Sequence, residues 1–392
     1  MSNPWLSQIK HQNPLTNINV GTPTLVKLDS GELLAAHDYQ GKGIYQQIER
    51  DRYKTSVYQS RDHGLTWNLT VDIQGTIWGT LFVNKGSVYL LGTSCDYGSI
   101  VIRKSDDSGS TWTNPVDEDS GLLFRGGKEY CPPNYHHSGN NVMKFENRLY
   151  TAYENDDPFD WPTGFRAFVL SADEDSNLLK ASSWRKSNEV AFPNNPTYRA
   201  DGWLEGNIVV DIDGRPCSVL RLQPELPAEE YFSSETKFAI DKAAFLKIED
   251  EGQQLVNDPK RWFVDLPGGM SKFTIRWDEI EHRYWVLAND MSNGPPRIHR
   301  NILSLFSSTD LSSWIRHSLL MEDRHQKTPE ESARKTGFQY PDWQFDGDDI
   351  IYVVRTAYNG APNYHDANRI TFGRIEDFRE ISKIGSPWRT DE

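Results

Sequence analysis

Cysteine is scarce in this chain of 392 residues, which holds only Cys95, Cys131 and Cys217. Three scattered thiols cannot build a disulfide scaffold, and their spacing matches no zinc site. Long apolar runs are missing too: no stretch approaches the roughly 18 residues a membrane-spanning helix needs. Positive charge is in deficit. Against 56 Asp and Glu stand 42 Lys and Arg, a net charge of −14. Nucleic-acid binders and proteins that bind anionic membranes both depend on a basic face, so neither partner is expected. Residues Met1 to Lys10 lack the apolar segment behind a basic start that marks a secretory signal. The expected location is therefore cytoplasmic, or periplasmic if a leader has been trimmed. Helical periodicity is rare, with one short helix expected at Pro329–Lys335.

Hydrophobic residues make up 37% of the chain, and 28 glycines bring the total close to the globular norm. Wholesale disorder is excluded. Aromatics reach 12%, with 13 Trp, a composition that leans towards an all-β, carbohydrate-binding protein. One octad recurs. Ser60-Arg61-Asp62-His63-Gly64-Leu65-Thr66-Trp67 and Ser105-Asp106-Asp107-Ser108-Gly109-Ser110-Thr111-Trp112 both read S-x-D-x-G-x-T-W. Ser308-Thr309-Asp310-Leu311-Ser312-Ser313-Trp314 is a shortened form, and a looser one runs from Ser171 to Trp184. Asp can bond nearby backbone N–H groups and Gly supplies positive φ, so each octad is expected to close a turn between outer strands. Its role is structural.

Between the octads, apolar residues alternate with period two in short runs such as Thr24–Leu28, Thr76–Val83, Ile208–Asp211, Arg283–Asn289 and Ile350–Thr356. Regular short strands suggest a sandwich, barrel or propeller, and the recurring turn selects an all-β propeller. Hairpin pairs count to six repeats, at roughly 1–74, 75–130, 135–200, 203–266, 270–322 and 337–392. No Ser/Gly linker divides them, so residues 1–392 are read as one domain. Gly121–Gly139 and Met321–Thr336 are expected to be long loops, which commonly carry function.

The octads resemble the Asp-box (BNR) repeats of sialidase-like β-propellers. Five further segments carry a narrower resemblance: Ala35-Ala36-His37-Asp38, Gly202-Trp203-Leu204-Glu205-Gly206-Asn207, residues 267–276 (PGGMSKFTIR), Gly337-Phe338-Gln339-Tyr340-Pro341-Asp342-Trp343, and residues 365–372 (HDANRITF). They are similar to the propellers grouped with rhamnosyl-glucuronate lyases and, more distantly, to propeller ulvan lyases. The match runs from about residue 20 to the C-terminus. That branch includes proteins read as lyases and as glycosidases. The resemblance implies seven blades against the six counted, with the two terminal segments expected to complete the extra one. In relatives a Tyr-His pair precedes Thr-Ala-Pro; here the chain reads Tyr135-His136-His137-Ser138-Gly139, which weakens the inference about specificity.

The activity implied is β-elimination on a uronic-acid-containing oligosaccharide, an acidic partner. That chemistry needs cations to neutralise the carboxylate, a base for the C5 proton and an acid for the leaving oxygen. His136, Arg221 and Tyr340 are the expected catalytic residues, with His137 the obvious confounder of His136. Arg221 follows the apolar run Cys217–Leu220 and needs an anionic partner, either Glu205 or substrate. Lys272 and Arg276 share a strand face at spacing four. Arg300, Arg355 and His365 complete the cationic set, and Arg355 ends the apolar run Ile350–Val354. Asp342 and Trp343 are expected beside Tyr340, the Trp as a stacking platform if exposed. Tyr198 and His37 are the remaining substrate-binding candidates. No redox cofactor is required; a structural calcium is implied only by the resemblance, and no ligands are assigned to it. Homo-oligomerisation is left open. Three other functions stay open: a rhamnosidase-like glycoside hydrolase, a sialidase, and a non-catalytic glycan-binding propeller. The sialidase Arg motif ahead of the first octad is replaced here by Val20-Gly21-Thr22-Pro23.

Overall fold

Strands that are apolar on both faces are buried only if sheets lie on both sides of them, and a closed ring of sheets meets that demand without leaving end sheets exposed. The computed structural model describes residues 3–48, 52–127, 130–193, 200–224, 241–259, 261–291, 299–323, 325–326, 328–381 and 383–388. They form six antiparallel sheets, the blades of a six-bladed β-propeller. The innermost strands are Thr24–Lys27, Ile77–Asn84, Tyr135–His136 with Met143–Phe145, Ala200–Val210, Thr274–Asp278 and Gly337–Asp346. The second strands are Leu33–Gln40, Ser87–Thr93, Arg148–Asp156, Pro216–Pro224, Arg283–Asn289 and Asp349–Ala357.

Six apolar clusters lie between successive blades, so the core is a set of six interfaces that goes fully round the ring. The cluster between the last blade and the first joins Val353, Ile370 and Phe372 to Leu25, Ala35 and Tyr58. The count of six is correct and the implied seven is not. The terminal segments build no extra blade: Ser7–His11 pairs with Arg369–Ile375 as the outer strand of the sixth, and Ser386–Pro387 pairs with Trp314–Glu322 of the fifth.

Each octad joins the third strand of its blade to the fourth. In the first, Asp62 accepts from the Thr66 N–H at 2.9 Å and the Thr66 hydroxyl at 2.6 Å, while Gly64 N–H donates to the Ser60 hydroxyl at 2.9 Å. His63 and Gly64 take φ of 59° and 88°. A Cβ on Gly64 would stand 2.2 Å from the Phe372 ring, so the turn sits flush on the sixth blade. Asp107 and Asp310 organise their turns in the same way. The helix Pro329–Lys335 forms as expected, capped by the Thr328 hydroxyl, with Glu330 and Glu331 in its first turn and Arg334 and Lys335 in its last.

Strand direction fixes two unlike mouths. Inner strands begin, second strands end and third strands begin at one mouth. Third strands end at the other, where the octads sit.

Candidate active site

Three inner strands open with the same irregularity. Register slips between Ile77 and Thr80, between Leu204 and Asn207, and between Gln339 and Asp342. Within those bulges Trp78, Glu205 and Tyr340 take φ of 53°, 59° and 53°. A bulge re-aims a side chain, and positive φ in these residue types is strain that the surrounding structure must hold. Here it is stored at the first mouth.

Tyr340 and Glu205 meet there. The Tyr340 hydroxyl donates to Glu205 Oε1 at 2.5 Å, and Arg221 Nη1 donates to Glu205 Oε2 at 2.9 Å. Arg221 is fixed further by the Met270 carbonyl at 2.8 Å and Gln223 Oε1 at 3.0 Å. Burial alone would push the Glu205 carboxyl up, but Arg221, then Lys272 and the Tyr340 hydroxyl, outweigh it and hold it at about 2. Burial and the Glu205 charge raise the Tyr340 phenol, against Arg355, Arg221 and Arg300. The resting pair is therefore a neutral phenol on a carboxylate.

Beside the pair, two guanidiniums converge on one neutral atom. Arg300 Nη1 and Arg355 Nη2 both donate to Gln339 Oε1, at 2.6 and 3.1 Å. Arg355 also lies over the Tyr340 ring, 4.0 Å from its centroid. Its Nε is buried without a partner. His365 faces the same charges, with Nδ1–H on Asp366 at 3.0 Å; burial lowers its pKa, the Asp366 hydrogen bond opposes that, and Arg355 and Arg300 lower it further. Lys272, 2% exposed, donates to Asn140 Oδ1 at 3.0 Å. Among the described residues, no carboxylate lies within ion-pair distance of Arg300, Arg355 or Lys272. Buried cations without counter-ions favour an anion from outside.

A carboxyl of different character closes the site. Asp38, at the end of its strand, accepts the Thr22 N–H at 2.7 Å and the Trp78 N–H at 2.5 Å. Burial pushes it up to about 6, against those two hydrogen bonds and Arg355. A Cβ on Gly21 would stand 1.7 Å from Asp38 Oδ1, so only glycine leaves this carboxyl its place. The Trp78 ring lies 4.8 Å from His136.

Of the residues expected from sequence, Arg221, Glu205, Tyr340, Lys272, Arg300, Arg355 and His365 come together at this mouth. The others part from expectation. His136 also stands at this mouth, 4.8 Å from the Trp78 ring, but it is buried, with Nδ1–H on Glu154 at 2.9 Å and Nε2 accepting from Ser138 at 3.2 Å, so both ring nitrogens are engaged. His137 is deeper still, its Nδ1–H on the Trp78 carbonyl at 2.6 Å. His37 stacks on Tyr58 at 5.6 Å on the face of its strand opposite Asp38 and reaches no mouth. Arg276 is bound to Asp342 and the Trp343 carbonyl and lines a cavity of about 280 Å³ at the far mouth with Asn141, Ile208 and Trp277. Asp342 accepts the Leu25 N–H at 2.9 Å and the Thr24 hydroxyl at 3.1 Å, stapling the sixth blade to the first. Trp343 is fully buried, its indole N–H on the Thr274 carbonyl at 2.7 Å, and offers no platform. Tyr198 lies outside the described residues. Asp38, Trp78, Asn140 and Gln339 were not among the expected binding or catalytic set. Of these, Asp38 and Gln339 lay in segments that carried the resemblance, and Asp38 stood beside the candidate His37. Among the described residues no three His, Cys, Asp or Glu side chains are grouped as metal ligands.

No protein-family model matches the chain, and no curated protein sequence matches it. Solved structures do resemble it. An α-L-arabinanase of Penicillium chrysogenum, in complex with arabinobiose, superposes with a TM-score of 0.58 at 15% identity over 95% of this chain and 99% of its own. An α-L-arabinofuranosidase of Fusarium graminearum gives 0.59 at 14% identity over 97% and 100%. The sialidase of Trypanosoma rangeli gives 0.53 at 16% over 93% of this chain and 56% of its own. At such identities the likeness is one of fold, and it supports the β-propeller.

Proposed function

We propose that this protein is a retaining glycoside hydrolase acting on a sugar acid, with Tyr340 as nucleophile. The observation that carries the reading is a phenol hydrogen-bonded to a buried carboxylate beside two guanidiniums that have no carboxylate counter-ion among the described residues. A carboxylate nucleophile would be repelled by a substrate carboxylate at or next to the anomeric carbon. A neutral phenol is not, and this is the arrangement by which sialidases depart from the usual carboxylate pair.

The steps follow from the contacts. Arg300 and Arg355 bind the substrate carboxylate. Tyr340 Oη attacks the anomeric carbon while its proton passes to Glu205. The bond to the leaving oxygen breaks as Asp38 gives that oxygen its proton. Water then attacks the same carbon and gives a proton to Asp38, and Tyr340 leaves by recovering its proton from Glu205. Arg355, over the phenol ring, stabilises the charge that develops on Tyr340. The similarity in fold to solved glycosidases and sialidases supports hydrolysis over elimination, as does the engagement of both His136 nitrogens.

The test is incubation with glycosides of sugar acids, sialyl-lactose among them, together with rhamnosyl-glucuronate oligosaccharides. Release of the acid sugar without an ultraviolet-absorbing unsaturated product is expected, and a fluorinated sugar acid should form a covalent adduct on Tyr340, visible in peptide mass spectra. An unsaturated product would return the reaction to β-elimination.

A further inference from the structure

The acid of a glycosidase stands beside the glycosidic oxygen, so whatever lies beyond that oxygen lies on the acid's side of the site. Here that side is aromatic. Trp78, whose N–H holds Asp38, has its ring 5.4 Å from Tyr97. Tyr97 meets Phe159 edge-on at 5.0 Å, and Phe159 packs on Tyr130 at 4.6 Å. The run leads from the buried Asp38 outward to Tyr130 and Phe159, which are 47% and 43% exposed. Aromatic faces that remain open to solvent beside a polar cleft suit the C–H faces of a sugar.

Charge changes sign along this run. Arg300, Arg355 and Lys272 belong to the Tyr340 side. The carboxylates acting on Tyr97 are those of Asp156, Asp96 and Glu154, and Tyr45 donates to Asp96 at 2.9 Å. A negatively charged leaving group would be repelled there. An uncharged pyranose would stack on the rings and offer a hydroxyl to Asp96, which is only partly buried.

We infer that Tyr97, Tyr130 and Phe159 form the subsite for the leaving group, and that this group is an uncharged sugar. The inference rests on the hydrolase reading, because it takes Asp38 as the acid. It is tested with two glycosides of one sugar acid, a methyl glycoside and one linked to lactose, and with free lactose as a binding probe. In the Tyr130→Ala/Phe159→Ala protein, kcat/KM for the lactose-linked substrate should fall roughly tenfold, chiefly through KM, while the methyl glycoside changes less than twofold. Lactose contacts seen by saturation-transfer NMR on the wild type should vanish in this variant. Both side chains are half in solvent, so folding should survive, which circular dichroism checks. Equal losses on the two substrates, or no loss on either, overturn the subsite. So does a wild-type protein that hydrolyses the methyl glycoside but shows no lactose contact. Lactose contact without hydrolysis of any sugar-acid glycoside overturns instead the hydrolase reading and, with it, the leaving-group role.

Discussion

At the scale of single residues, the site separates two carboxyls by environment. Glu205 is held at about 2 and Asp38 is pushed up to about 6, so between those values one is ionised and the other protonated. The first chemical step needs that combination. We expect kcat/KM to be level below the Asp38 value and to fall about tenfold per pH unit above it, as read from a pH–rate profile; a profile level to pH 8 would remove Asp38 as the acid. Tyr340→Phe keeps the ring under Arg355 but deletes the nucleophile, and a loss of at least roughly 10³-fold in kcat is expected with the fold intact. Gly21 gives a sharper test. In Gly21→Ala the new methyl must displace Asp38 and its bond to Thr22, so activity should drop roughly 10²-fold, although the substitution touches no substrate. Thermal melting beside the kinetics distinguishes that displacement from general damage.

At the scale of strands, height along the channel decides what sequence periodicity cannot. Lys272 and Arg276 share a face, yet four residues of strand carry Arg276 about 13 Å further on, to the other mouth. Asp342 and Trp343 follow Tyr340 after Pro341, but the bulge ends at Asp342 and the strand has already turned its side chains into the wall of the ring. The cations at the ends of apolar runs, Arg221 and Arg355, were legible because a buried charge there demands a partner. The Tyr340–Glu205 bond joins residues 135 positions apart, and no local pattern announces it. Asp38 was overshadowed by His37, and period two places the two on opposite faces. Asp342→Ala tests the staple it forms. The Leu25 N–H would lose its acceptor and Arg276 its counter-ion, so stability should fall by about 3 kcal/mol in urea unfolding. Activity at saturating substrate should suffer less.

At the scale of the molecule, the chain carries an excess of negative charge while gathering cations at one mouth. The two are compatible because screening leaves only nearby charges effective at contact distance. The six-repeat reading and the octad turns were visible in sequence because each blade repeats the same punctuation. The meeting of the two terminal segments was expected, but as an extra blade; that Ser7–His11 instead closes the sixth blade was not visible, since its partner lies at the far end of the sequence. Removing Ser7–His11 should expose the edge of Arg369–Ile375. The truncated protein is expected to melt lower and to aggregate, as measured by calorimetry and light scattering.

That pairing of the first strand with the last blade also imposes an order of events on the ribosome. Ser7–His11 is made long before its partner, which begins at residue 369, so the five blades between must wait, unclasped, until that strand has been made. Slow passage through the codons of the sixth blade would prolong the interval in which an open ring can be captured by a neighbouring chain.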